Sequence, residues 1–310
     1  MNVFYLLPDP FSDPKKTKKT KKISYEDIEE DSSSSDPDFS DAEEISDIDE
    51  EYYETNVYKT PPKKSQSPTR TYSPRSRPSG LSMRQNKTIV LDMDECLLHM
   101  FIESDKIINF EKHQIDAVGN HNMFNVMLKN SKHPTHGVYR PMLREFLNYC
   151  YQRFANVILW SAGADDYVDV VAKHAFTHLT NKSPTMILSR KHCKQIVDSQ
   201  DKKSVIYTKP LVDIPHHVKI NGLSHIDEES LELKNIIFVD DNPGNSVFNV
   251  YNHVLIPEFS PAPNVQSIKS HINKDKALIK LMEWLEKTEV KNSKDIRQLD
   301  TNIFKLSFDY

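Results

Sequence analysis

Glycine is nearly absent: six in 310 residues, against a usual share of ~7%. That scarcity excludes a glycine-rich phosphate loop of the P-loop or dinucleotide kind, so phosphate chemistry has to rest on other groups. Cysteine is scarce as well. Cys96, Cys150 and Cys193 are odd in number and far apart, with no CxxC pair, which argues against a disulfide framework or structural zinc and fits a reducing compartment. No apolar run reaches the ~18 residues of a membrane span, and Met1–Pro10 has neither the basic start nor the apolar stretch of a signal peptide. The expectation is a soluble, non-secreted protein of the nucleus or cytoplasm with no membrane partner.

What is present divides into two regions. Residues 1–86 carry 17 acidic and 13 basic side chains and 9 of the 18 prolines, leaving 28 acidic and 27 basic residues in the rest. Lys15–Lys22 holds six lysines, Glu26–Glu54 holds 15 carboxylates and no base, and Lys59–Arg84 reverses the sign. Blocks of like charge repel and contain too few apolar groups to offset the entropy of ordering. Residues 1–86 are therefore expected to form a disordered, low-complexity tail. Thr60-Pro61, Ser67-Pro68 and Ser73-Pro74 offer proline-directed phosphorylation sites, and KKTKKTKK offers a nuclear-localisation segment or an electrostatic tether. Nothing there supports base-specific nucleic-acid binding.

From Lys87 onward, short β-branched runs alternate with amphipathic stretches. Strands are predicted at Thr88–Asp92, Asn125–Leu128, Val157–Trp160, Thr185–Leu188, Val205–Tyr207, Ile236–Val239 and His253–Leu255. Helices are predicted over Pro141–Arg153, with proline at the first helical position, and over Ala164–His178 and Asp275–Lys287. This alternation implies an α/β, Rossmann-like doubly wound parallel sheet over residues 87–290, with small insertions and a short tail at 291–310. Such sheets place their sites at the carboxyl ends of the strands.

The polar residues obey that rule. TIVL runs into Asp92-Met93-Asp94, and IIFV runs into Asp240-Asp241-Asn242-Pro243. Four carboxylates on one rim raise each other's pKa unless a cation neutralises them, and all-oxygen ligation suits Mg²⁺. VILW leads to Ser161 and VIYT to Lys209. These are the parts of a phosphoryl transfer site: Asp92 as nucleophile, Asp94 as acid and then base, Ser161 and Lys209 on the phosphate, and Asp241 as metal ligand with Asp92 and the Asp94 carbonyl.

In this order the motifs resemble the haloacid-dehalogenase (HAD) superfamily. More narrowly, LDMDECLLH, RPMLREFL, LWSAG, YTKPL and VDDNP look like the carboxy-terminal-domain phosphatases of the FCP/SCP type, which remove phosphate from serines of the RNA polymerase II tail. The resemblance covers Lys87–Leu285. It implies that Asp92, Asp94, Asp240 and Asp241 gather around Mg²⁺, that Arg190 helps hold phosphate, and that Tyr167 contacts the substrate. It implies a phosphoserine/phosphothreonine protein phosphatase acting on a phosphorylated protein; separately, a monomer with no direct nucleic-acid partner is expected. Cys96 departs from the motif, replacing a threonine hydroxyl by a weaker thiol donor, and the segment after Leu285 is too short for a BRCT domain. Two alternatives stand beside this reading: a weakened binding module of the translocase-subunit kind, and a small-molecule phosphatase, for which the insertion at Ile102–Gly137 is short as a cap.

Overall fold

The structure, a computed structural model, describes residues 84–306 except 104–105, 130 and 198–204. The lysine-rich, acidic and Ser-Pro segments expected to form a tail lie outside the described residues.

The chain enters through strand β1 (Gln85–Leu91), passes an acidic loop, and forms β2 (Leu98–Met100), β3 (Ile102–Glu103) and β4 (Lys106–Ile107). Helix α1 (Lys112–Val118), β5 (Met123–Val126) and β6 (Thr135–Tyr139) complete this insertion. α2 (Leu143–Arg153) then leads to β7 (Phe154–Trp160), and α3 (Asp165–Ala172) continues through a π-helical turn towards β8 (Met186–Leu188). β9 (Lys194–Val197), β10 (Val205–Thr208) and α4 (Ile214–Ile220) precede β11 (Ile236–Asp240) and β12 (His253–Leu255). Helices α5 (Val265–Lys274), α6 (Ala277–Leu285) and α7 (Thr288–Lys291) follow.

Five strands form the parallel sheet in the order β12-β11-β1-β7-β8. Its strands are buried on both faces, which is why they read as unbroken apolar runs rather than alternating ones. Ile89, Leu91, Val157, Leu159, Ile237 and Val239 face a core closed by Leu143 and Phe146 of α2, Val168 and Val171 of α3, and Leu281 and Trp284 of α6. Val90, Ile158, Trp160 and Phe238 face the opposite core with Ile214 and Val218 of α4. This is the doubly wound α/β sheet expected from the sequence. Register then fixes the site: Leu91 pairs with Val239 on one side and Leu159 on the other. Asp92 therefore stands level with Asp240, which ends β11.

Four expectations are corrected. Two predicted strands lie outside the parallel sheet: the one at 125–128 belongs to β5, in the antiparallel sheet β2-β6-β5, and Val205–Tyr207 pairs antiparallel with β9. Periodicity marks a strand but not its partner. Pro141 is not the first helical residue; Met142 caps α2 in the left-handed conformation at φ 68°, which turns the chain before the helix begins. Finally, residues 291–306 pack on the domain rather than trailing from it: Ile296 is fully buried, and Leu299, Ile303 and Phe304 lie against the main core. Their apolar side chains are too irregularly spaced to signal an element. His174 and His178, on the turn that continues α3, pack against each other as aromatics, His174 also stacked on Phe124 and hydrogen-bonded to the Tyr139 hydroxyl.

Candidate active site

Lys209 follows β10 and has no exposed surface. An ammonium in that position needs compensating charge, and two carboxylates supply it. Lys209 Nζ donates to Asp92 Oδ1 at 2.5 Å and to Asp240 Oδ2 at 2.7 Å. Burial alone depresses the lysine's pKa, yet Asp240 and Asp92 overcome it and hold the ammonium above its ordinary value. Its backbone is fixed too: Lys209 N donates to the Asn245 carbonyl at 2.9 Å, and Asn249 Nδ2 donates to the Lys209 carbonyl at 2.7 Å.

The four aspartates differ in environment. Asp92 is pushed up to about 8, first by burial and then by the charge of Asp240, with Lys209 opposing both. Its amide donates to the Val239 carbonyl at 2.9 Å, and the Cys96 thiol lies 3.9 Å from the same oxygen. The thiol thus occupies the place of the expected hydroxyl donor, at the longer reach of sulfur. Asp240 is fully buried, and its carboxylate accepts from Lys209, the Asn242 amide and Asn245 Nδ2. Asp241 remains partly exposed. Among the described residues no hydrogen-bond donor meets its carboxylate, which burial and the charges of Asp92 and Asp240 raise well above the ordinary range. Asp94 is raised to about 6, chiefly by burial and by Glu95. Two donors moderate that rise: Ser161 Oγ to Asp94 Oδ2 at 3.2 Å, and the Tyr167 hydroxyl to Asp94 Oδ1.

Oxygens of Asp92, Asp240 and Asp241 lie within 4.8 Å of one another. Three carboxylates beside one lysine, which pairs with two of them, leave an excess of negative charge when ionised, and their hard oxygen donors suit a Mg²⁺-sized divalent cation. Asp241 and Asp92 are the groups best placed to hold it. Asp240, expected among the ligands, belongs to the same cluster, and its carboxylate also accepts from the lysine and two asparagine donors.

Asp92, Asp94, Ser161, Asp240 and Asp241 lie at the carboxyl ends of strands of the parallel sheet or just past them, Lys209 follows β10, and Tyr167 lies in α3. Ser161 follows β7, and its Oγ accepts from the Gly163 amide at 3.0 Å. Arg190 follows β8, donates Nε to the Ala162 carbonyl at 2.7 Å, and lies over the Tyr207 ring at 5.2 Å. The hydroxyl of Tyr167, expected to touch substrate, donates to the Asp94 carboxylate. Sequence reasoning missed Asn245 and Asn249, which brace Lys209, and gave no role to Arg140, the first residue of RPMLREFL, which is buried and donates to the Cys96 carbonyl. The only trace of the asparagines in the sequence was their recurrence in NPGNSVFN beside apolar neighbours.

No curated protein matches the chain. Among solved structures it is similar to a fission yeast RNA polymerase II CTD phosphatase, an arginine-to-alanine variant of Fcp1 bound to beryllium fluoride, at 16% identity and TM-score 0.34 over 65% of this chain and 51% of that one. A second, titled as Fcp1, an essential RNA polymerase II CTD phosphatase, gives 16% and 0.34 over 70% and 59%. The chain thus spans roughly half to three-fifths of those proteins. The family model for NLI interacting factor-like phosphatases matches residues 87–297, which is more than half of the chain. That span holds the whole carboxylate–serine–lysine rim, and by it the chain belongs to the NLI interacting factor-like phosphatase family, of the haloacid-dehalogenase type.

Proposed function

We propose that the chain is a Mg²⁺-dependent protein phosphatase that hydrolyses phosphoserine or phosphothreonine through an aspartyl-phosphate on Asp92, with the RNA polymerase II tail or a similar repeated phosphopeptide as substrate. The observation that carries this reading is the meeting of three carboxylates within 4.8 Å beside a fully buried lysine. Mg²⁺, when bound, would neutralise the phosphate and keep Asp92 ionised. Asp92 then attacks phosphorus as the bond to the serine oxygen breaks, and Asp94 gives its proton to the departing alkoxide. In the second half Asp94 accepts a proton from the water that cleaves the aspartyl-phosphate. A carboxyl with a pKa of about 6 serves both halves near neutral pH. Asp94 and Asp241 are partly exposed, and this supports a site open to a peptide. The test is phosphate release from an aryl phosphate and from phosphoserine heptad peptides, with and without Mg²⁺. Metal-dependent turnover with the peptides preferred supports the proposal; no turnover from a folded protein that binds Mg²⁺ would favour the binding-module reading instead.

Two further results are expected. Tyr167→Phe removes a donor that stabilises the Asp94 carboxylate, so Asp94 keeps its proton to higher pH. The alkaline limb of kcat/KM, where the acid is lost, should move up by roughly one unit, the equivalent of one hydrogen bond to a charged group at about 1.5 kcal/mol. A pH–rate profile with an unmoved limb would remove Asp94 as the acid.

The second concerns stability. Asp92 has a folded pKa of about 8 against an ordinary 3.8, so metal-free folded protein binds the extra proton. Its contribution is present below pH ~4 and is lost as pH rises through about 8. A metal replaces that proton, so Mg²⁺ should stabilise more at pH 8 than at pH 5. At a hundredfold excess over Kd, about 2.7 kcal/mol corresponds to a Tm gain of about 5–10 °C. Calorimetry at the two pH values would show it, and equal shifts would contradict it.

A further inference from the structure

Arg140 is 1% exposed and joins three segments far apart in the chain. Its Nη1 donates to the Cys96 carbonyl at 2.8 Å, and its Nη2 to the Pro257 carbonyl at 2.6 Å. Nη2 and Nε also donate to Asp275 Oδ2, at 2.9 and 3.1 Å. The fork on Asp275 fixes the guanidinium plane and thereby aims Nη1 at the loop that carries Asp92 and Asp94. Asp275 is itself anchored, because its Oδ1 accepts from the Ala277 amide at 2.9 Å at the start of α6. The Phe259 ring, 5.5 Å from the guanidinium, belongs to the residue whose amide donates to the Glu95 carbonyl at 2.7 Å.

The backbone in this region is held in unfavourable conformations. Of the four left-handed non-glycine residues described, Glu95 at φ 56° and Met142 at φ 68° stand on either side of the Arg140–Cys96 bond. Such conformations persist where surrounding contacts over-determine them, and they gather at functional sites. Arg140 touches none of the groups assigned to phosphate or metal. Its Nη1 grips the carbonyl of the Cys96–Leu97 peptide, two residues past Asp94.

We propose that Arg140 and Asp275 are positioning residues: together they set the backbone at 94–96 and, through it, the aim of Asp92 and Asp94. The inference rests on the phosphatase reading for its kinetic part only. Three variants test it: Arg140→Lys, which keeps the charge and loses the fork; Asp275→Asn, which keeps an oxygen for the Ala277 amide; and Arg140→Ala assayed with added guanidinium. On an aryl phosphate, kcat should fall about 10²-fold with KM changed less than about threefold, as for a misaimed nucleophile. Guanidinium should return part of the loss in Arg140→Ala. Amide hydrogen exchange supplies a readout independent of turnover, and Asp275→Asn supplies it even if the Arg140 variants fail to fold. Faster exchange confined to residues 92–98 supports the clamp. Unchanged exchange there, acceleration spread evenly over β1, β7 and β11, or an unchanged kcat in an active enzyme overturns it. A wild type without turnover would remove the phosphatase reading and leave the exchange result to decide on the clamp.

Discussion

Asp92→Asn is expected to lower phosphate release by roughly 10⁴-fold or more, the scale on which a nucleophile's removal is felt, while the metal-free protein stays at least as stable as the wild type. An amide oxygen cannot form the acyl phosphate, so the covalent route closes. The folded state, however, barely registers the change. Asp92 with a pKa of about 8 is mostly protonated at neutral pH without metal, and an asparagine of the same shape keeps the oxygen that accepts from Lys209. It also ends the repulsion between Asp92 and Asp240, which is the second cause of that raised pKa. Single-turnover phosphate release and calorimetry on one preparation would read both effects. Turnover within tenfold of wild type would mean that another group attacks phosphorus. A large loss of stability would mean that Asp92 is held ionised by Lys209 without any metal.

The variant also bears on how much of the site could be read from the chain. Asp92, Asp94, Ser161 and Asp240-Asp241 were legible because each follows a strand too apolar to be anything but buried, and parallel sheets collect such strand ends on one rim. The distinct duties of Asp240 and Asp241 were not legible. Adjacent residues of one type differ here in their surroundings: Asp240 ends β11 and accepts from the lysine and two asparagine donors, while the partly exposed Asp241 meets no such donor among the described residues although its carboxylate lies within 4.8 Å of the other two. Tyr167 shows the same limit, since an aromatic one turn into a helix at the rim fits a substrate contact as well as the bond it makes to Asp94.

The role of Arg140, which opens the RPMLREFL motif, was illegible for a different reason. Beside Pro141 and ahead of a helix it looks like any exposed arginine, and its burial is created by partners 44, 117 and 135 positions away. Strand β6, THGVY, escaped notice because a glycine and a histidine interrupt its pattern. The structure explains the glycine: a Cβ on Gly137 would come within 2.5 Å of the Phe124 ring and 2.6 Å of Met100 sulfur on the strands either side. Such residues answer to neighbours supplied by the fold, and local pattern carries no record of them.

Lys209→Met should have the second large effect, and here stability and activity are both at stake. The variant leaves two buried carboxylates facing each other without their cation, a change worth about 3–5 kcal/mol and a Tm loss of about 6–20 °C for a domain of this size. The loss depends on pH with a definite sign. Lys209 lowers the Asp92 pKa, so its removal raises that pKa further, and the variant destabilises most where Asp92 would otherwise be ionised. Wild type and variant should therefore differ less at pH 5 than at pH 8. Turnover should fall about 10²–10³-fold, since a preorganised cation at the developing phosphate charge is lost. Lys209→Met combined with Asp240→Asn separates the two roles: it removes one of the two carboxylates left without their cation and with it their mutual repulsion, so most of the stability should return while turnover stays low. Recovery of both would make Lys209 a structural counter-ion only. Recovery of neither would show that Asp240 does more than hold the lysine, and a single Lys209→Met variant as stable as wild type at pH 8 would refute the buried pairing itself.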